Sequence, residues 1–116
     1  MESKEIALLA ARALSGKKGL DITCIDISAK SSFADYFVLA SAGSERQLAA
    51  LCDEVDDEFA KEGIIARSIE GKESSGWVLM DYGDVIVNVF TTEMRDRYNL
   101  EKVWGDCNFI ELDLED

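Results

Sequence analysis

The Gly-Ser turn at Ala42-Gly43-Ser44 and the acidic pair Asp81 and Asp84 are the residues whose types and spacing suggest chemistry. The turn follows an apolar run and opens a helical pattern, so free backbone N–H groups there can hold an anion. In nucleotidyl transfer such a turn works with paired carboxylates on a nearby strand, which hold Mg²⁺ against a triphosphate. That second half is incomplete here. Neither residues 64–69 nor residues 85–90 contain Asp-x-Asp or Asp-x-Glu. Asp81 and Asp84 flank Tyr82-Gly83, where their plain role is turn formation. Ser15-Gly16-Lys17-Lys18 shares a fragment with phosphate-binding loops, but it lacks the upstream glycine and the hydroxyl residue after lysine, and it follows a helical pattern. The chain contains no His, which removes the usual general base and the commonest metal ligand. The residues therefore point to binding rather than catalysis, with no catalytic residue, metal or cofactor expected.

Composition narrows the partner. Asp and Glu number 24 against 12 Lys and Arg, a net charge of −12 in 116 residues. Such a chain repels phosphate backbones, so dominant contact with RNA or DNA is not expected; a basic protein surface suits it better. Cys24, Cys52 and Cys107 are scattered and form no C-x-x-C pair, which fits reduced thiols. The first residues lack the basic start and apolar run of a signal peptide, and no apolar stretch approaches the ~20 residues that span a bilayer. A soluble, cytoplasmic protein is expected, with residues 1–116 as one domain.

The elements that must position these residues follow from periodicity. Ile6, Leu9, Ala10, Ala13 and Leu14 predict a helix over residues 3–15. Residues 20–27 and 36–40 read as strands, the second covered on both faces. Ser44 and Gln47 make a capping box for a helix whose apolar stripe is Leu48, Leu51, Cys52, Val55 and Phe59. Residues 64–69 read as a strand parallel to 36–40 across that helix. Gly76 to Phe90 reads as a hairpin turning at Asp81-Tyr82-Gly83-Asp84. Thr91 or Thr92 then caps a helix to Tyr98, and Asn99 caps a turn to Trp104. The tail, residues 107–116, alternates Ile110, Leu112 and Leu114 with Glu111, Asp113 and Glu115, and reads as an edge strand or a loosely docked acidic end. The expected fold is α/β, a mixed five-stranded sheet with packed helices.

The hairpin is apolar on both faces. Trp77 and Leu79 point one way, Val78 and Met80 the other; Val85, Val87 and Val89 oppose Ile86 and Phe90. Both faces need cover, from this domain or from another protein.

Three segments resemble the ribosomal silencing factor (Iojap) family. The first is Asp35-Tyr36-Phe37-Val38-Leu39-Ala40-Ser41 with Ser44-Glu45-Arg46-Gln47. The second runs from Trp77 to Phe90. The third is Arg95, Arg97-Tyr98-Asn99-Leu100-Glu101 and Val103-Trp104-Gly105-Asp106. They occur in order over about residues 6–106. The resemblance implies a nucleotidyltransferase-like α/β fold without transferase chemistry. It implies binding to the large ribosomal subunit through ribosomal protein number fourteen, and steric block of subunit joining that lowers translation. One position departs: Asn88 stands where the family usually has His, and an amide still donates and accepts hydrogen bonds.

Aromatic residues concentrate in the same last third. The expected docking surface has Trp77, Leu79, Tyr82, Tyr98, Leu100 and Trp104 as apolar anchors, with Asp81 and Asp84 as partners for Lys or Arg. Two other readings stand beside it. One is a nucleotide-binding or nucleotidyl-transferring enzyme; the other is a homodimer whose apolar face pairs with itself. The distance from Asp81 and Asp84 to the Gly43-Ser44 turn separates the first of these from a docking protein.

Overall fold

A computed structural model describes residues 1–114. Its elements run α1 (Ser3–Gly16), β1 (Leu20–Asp26), β2 (Tyr36–Ala42), α2 (Glu45–Lys61), β3 (Ser68–Lys72), β4 (Trp77–Asp81), β5 (Val85–Thr91), α3 (Thr92–Tyr98), α4 (Leu100–Val103) and β6 (Asn108–Ile110). The strands form one mixed sheet in the order β3-β4-β5-β2-β1-β6. Among the described residues only β2 and β5 pair in parallel; the other neighbours are antiparallel.

The sheet has six strands, one more than periodicity suggested. The sixth is the start of the tail, where Asn108, Phe109 and Ile110 pair with Asp26, Ile25 and Cys24 of β1. Glu115 and Asp116, the last residues of the predicted acidic tail, lie outside the described residues. A second difference concerns residues 64–69. Ile64 and Ala66 pack on the core from a loop, and β3 begins only at Ser68. Pairing with β4 decides where the strand lies, and that register runs from Ser68 opposite Asp81 to Lys72 opposite Trp77. β3 does run in the same direction as β2, but β4 and β5 lie between them.

Both faces of the sheet are covered. On one, α1 contributes Ala7, Ala10, Ala13 and Leu14, and α2 contributes Leu48, Leu51, Cys52, Val55 and Phe59. They meet Val38, Ala40, Val78, Met80, Val85, Val87 and Val89. Small alanines on α1 let the helix lie close to α2 and the strands. Burying a side chain the size of Phe59, here fully enclosed, contributes about 1.5–3 kcal/mol. Half of the expected capping box forms at the N-terminus of α2: the Gln47 N–H donates to Ser44 Oγ at 3.1 Å, but the Gln47 side chain reaches past Ser44 to accept the Gly43 N–H. The opposite face carries Ile25, Ile27, Phe37, Leu39, Ile86 and Phe90, and its cover comes from α3 and α4. These two helices are short, seven and four residues, so that cover is partial.

Candidate protein-docking face

On the α3–α4 side of the sheet the aromatic residues meet. Side chains alternate along a strand, so Trp77, Leu79 and Asp81 of β4 share one face with Asn88 and Phe90 of β5. The Trp77 ring stacks on Phe90 with centroids 5.2 Å apart, and Tyr98 closes over it at 4.7 Å. Trp104 meets Phe37 edge-on at 5.4 Å, and Phe33 leans on both rings. Leu100 packs into the same cluster. Trp77, Leu79, Leu100 and Trp104 are half-buried: one side of each touches the sheet and the other is open. Tyr98 is 45% exposed, and Phe33 and Val103 extend the apolar surface at 58% and 64%. Beside Trp77 and Leu79 lies a groove of about 290 Å³, rimmed by Glu70, Gly71 and Ser75.

A buried arginine fixes this surface to the sheet. Thr91 caps α3 by accepting from the Met94 N–H. Asn99, with φ of 45°, ends α3 and begins α4. Such a left-handed residue is tolerated best by Gly and Asn. The reversal brings Glu101 back over Arg95. Arg95 Nε and Nη2 donate to the two oxygens of Glu101 at 3.2 and 3.0 Å. Nη1 donates to Ser41 Oγ at 3.1 Å on β2, and Nη2 to Thr23 Oγ1 at 3.0 Å on β1. The guanidinium hydrogen bonds hold the Glu101 carboxyl below its usual range. The helix pair carrying Tyr98, Leu100 and Trp104 is thus tied to two strands by one side chain.

Tyr82, expected among the anchors, lies on the other face of the sheet. Its ring packs edge-on against Phe59 at 4.4 Å, and its hydroxyl donates to Asp56 Oδ1 at 3.0 Å. Only 9% of it is exposed, and burial, then the Asp56 carboxylate, pushes its phenol pKa up. Parity explains this: Tyr82 continues the Val78–Met80 side of β4. The acidic pair is also unequal. Asp81 is half-buried and accepts the Gly83 N–H at 2.8 Å, closing the turn around a glycine with φ of 91°. Asp84 is exposed, and its carboxylate faces solvent while its carbonyl accepts from Asp35 and Tyr36. The residues that sequence reasoning missed are Phe33 and Phe37, whose rings complete the cluster, and Thr23, which holds Arg95.

The Gly43-Ser44 turn lines a cleft of about 410 Å³ with Glu45, Ser75, Thr92 and Glu93. One of its donors is already used. The Gly43 N–H donates to Gln47 Oε1 at 2.7 Å, so the side chain of α2 fills the place of an anion. Asp81 and Asp84 sit at the opposite end of the sheet. Tyr36 and Ala42, the two ends of β2, pair with Val85 and Thr91, which puts the turns about 20 Å apart. No single metal reaches both. Among the described residues no cluster of three or more His, Cys, Asp or Glu is placed to hold a metal ion, and no helix is long and apolar enough to cross a membrane.

Comparison with known proteins identifies the family. The family described as "Ribosomal silencing factor during starvation" matches residues 1–116. The chain is 40% identical over 113 residues to the ribosomal silencing factor of Bacillus subtilis, covering 97% of this chain and 96% of that one. It is 37% identical over 113 residues to the corresponding factor of Halalkalibacterium halodurans, covering 97% of each. A crystal structure of a protein from Chromobacterium violaceum superposes with a TM-score of 0.87 at 40% identity, covering 90% of this chain and 88% of that one. The chain belongs to the ribosomal silencing factor family.

Proposed function

We propose that this protein docks on the large ribosomal subunit through ribosomal protein number fourteen and blocks subunit joining by its bulk, repressing translation in the cytoplasm. The observation that carries the reading is the half-open aromatic face. Its anchors, Trp77, Leu79, Tyr98, Leu100 and Trp104, come from the second and third family segments, which fold onto one side of one sheet. Aromatic residues that are packed on one side and open on the other are the usual anchors of protein interfaces. Asp84 at the turn, Asp81 beside it and Glu70 at the groove give the rim an acidic character, suited to a basic protein. A net charge of −12 supports contact with protein over contact with rRNA. We read the scaffold as nucleotidyltransferase-like, with Gln47 bonded to the Gly43 N–H at the anion turn and the Asp81–Asp84 pair at the far end of the sheet. No observation favours the enzyme reading.

Co-sedimentation with isolated large subunits across a salt series tests the proposal. Tyr98→Ala removes a central anchor and is expected to weaken binding by about 2 kcal/mol or more. Asp84→Lys is expected to lower the on-rate and the salt sensitivity. Glu58→Ala on the outer face of α2 and Tyr82→Phe on the far side of the sheet should bind like the parent. If Tyr98→Ala and Asp84→Lys both fold and bind like the parent, the docking face is wrong.

A further inference from the structure

Asn88 lies at the centre of β5 and is fully buried, between Leu39 of β2 and Leu79 of β4 in the ladder. Its Oδ1 accepts the Trp77 indole N–H at 3.0 Å. Its Nδ2 has no partner, the one buried side-chain nitrogen or oxygen so placed among the described residues. A buried donor without an acceptor costs stability, and an apolar side chain of similar shape avoids that cost. Turning the amide over does not help: it sets an NH₂ against the indole N–H and loses the bond that exists.

We propose that Asn88 is the positioning residue for the Trp77 indole in the docking face. This rests on the reading of that face as the partner-binding surface. Trp77 pairs with Phe90 in the ladder, and Leu79 pairs with Asn88, so Trp77 and Asn88 are diagonal neighbours on one side of the hairpin. From there the amide oxygen fixes the plane of the indole. The fixed ring stacks on Phe90 at an interplanar angle of 22° and supports Tyr98 at 4.7 Å. Phe90 alone leaves the indole free to slide, because stacking is weakly directional; a hydrogen bond at the ring edge is not. The unpaired Nδ2 is what an amide leaves behind when only its oxygen is needed. Stability is given up at this site for a preset anchor, which lowers the ordering cost of binding.

The test uses the full chain. Asn88→Leu removes the acceptor and the orphan donor together. Its melting temperature should equal or exceed that of the parent. The Trp77 indole N–H resonance, assigned with Trp77→Phe, should move to its solvent-exposed position and exchange faster by about tenfold. Binding to large subunits should weaken by about fivefold. Asn88→His, whose unprotonated ring nitrogen accepts from the indole, should restore exchange protection and binding. If leucine crowds the site and the variant fails to fold, Asn88→Val carries the same measurements. An unchanged indole resonance and unchanged binding in the folded apolar variant would overturn the proposal, as would a histidine variant that restores neither. Tyr98→Ala and Asp84→Lys separate the two readings: if both bind like the parent the docking face has failed, while the indole resonance still reports on Asn88.

Discussion

Replacing Arg95 with Met should loosen the proposed docking face without opening the core. The guanidinium is 7% exposed and makes four hydrogen bonds, two to Glu101 and one each to Ser41 and Thr23. Breaking a buried ion pair by removing one partner costs about 3–5 kcal/mol. Glu101 has a side chain 32% exposed and Thr23 is half-buried, so both regain water when Arg95 is lost. The low end applies, about 3 kcal/mol. For a chain of this length the unfolding entropy is about 0.24 kcal/mol/K, so the melting temperature should fall by about 12 °C. Methionine fills much of the arginine stem, which keeps the cavity contribution small. Arg95→Lys keeps the charge but loses the planar fork, and should fall between parent and Met. Scanning calorimetry measures the shift, and large-subunit binding of the folded fraction measures the consequence for the face. A fall of less than about 2 °C would show that α3 and α4 are held by their apolar contacts alone.

Three further outcomes are expected. The Arg95–Glu101 pair stabilises the protein above the carboxyl's ordinary value of 4.5 and is lost as pH falls through its lowered folded value; the acid limb of a melting-temperature profile should therefore flatten in Glu101→Gln. Burial pushes the Cys24 thiol up to about 11 and Cys52 to about 12, so a thiol reagent at neutral pH should label half-buried Cys107 first, and all three only after unfolding without reductant. Gly71→Ala should cost about 1–3 kcal/mol by urea denaturation, because Gly71 has φ of 91° and a Cβ there sits 2.2 Å from the Trp77 carbonyl oxygen.

The two long helices and the hairpin were legible in sequence because local signals and burial agree there. The apolar stripe of α2, its Ser44 cap and the two-faced apolar hairpin all appear as read. β3 was misplaced because its residues, Ser68 to Lys72, are all exposed and carry no apolar pattern; only the partner strand defines it. β6 is a strand by virtue of β1, and its three residues alone could not show that. Within the proposed docking face, Trp77, Leu79, Tyr98, Leu100 and Trp104 were readable as aromatic and apolar residues clustered in the chain. Tyr82 was misassigned by the same clustering, although parity with Val78 and Met80 placed it on the α2 side. The Arg95 network spans β1, β2 and α4, and no local rule joins Thr23 to residue 95.

The parallel pairing of β2 with β5 has a consequence for synthesis of the chain. Tyr36 to Ala42 is covered on both flanks only after Val85 to Thr91 has joined it, about fifty residues later. At roughly 5–20 residues per second that is several seconds of translation. During this time the emerging chain carries Tyr36-Phe37-Val38-Leu39-Ala40 as an apolar strand open along one edge. Truncation before Val85 leaves that edge open permanently, so prematurely terminated chains should be sticky, short-lived fragments.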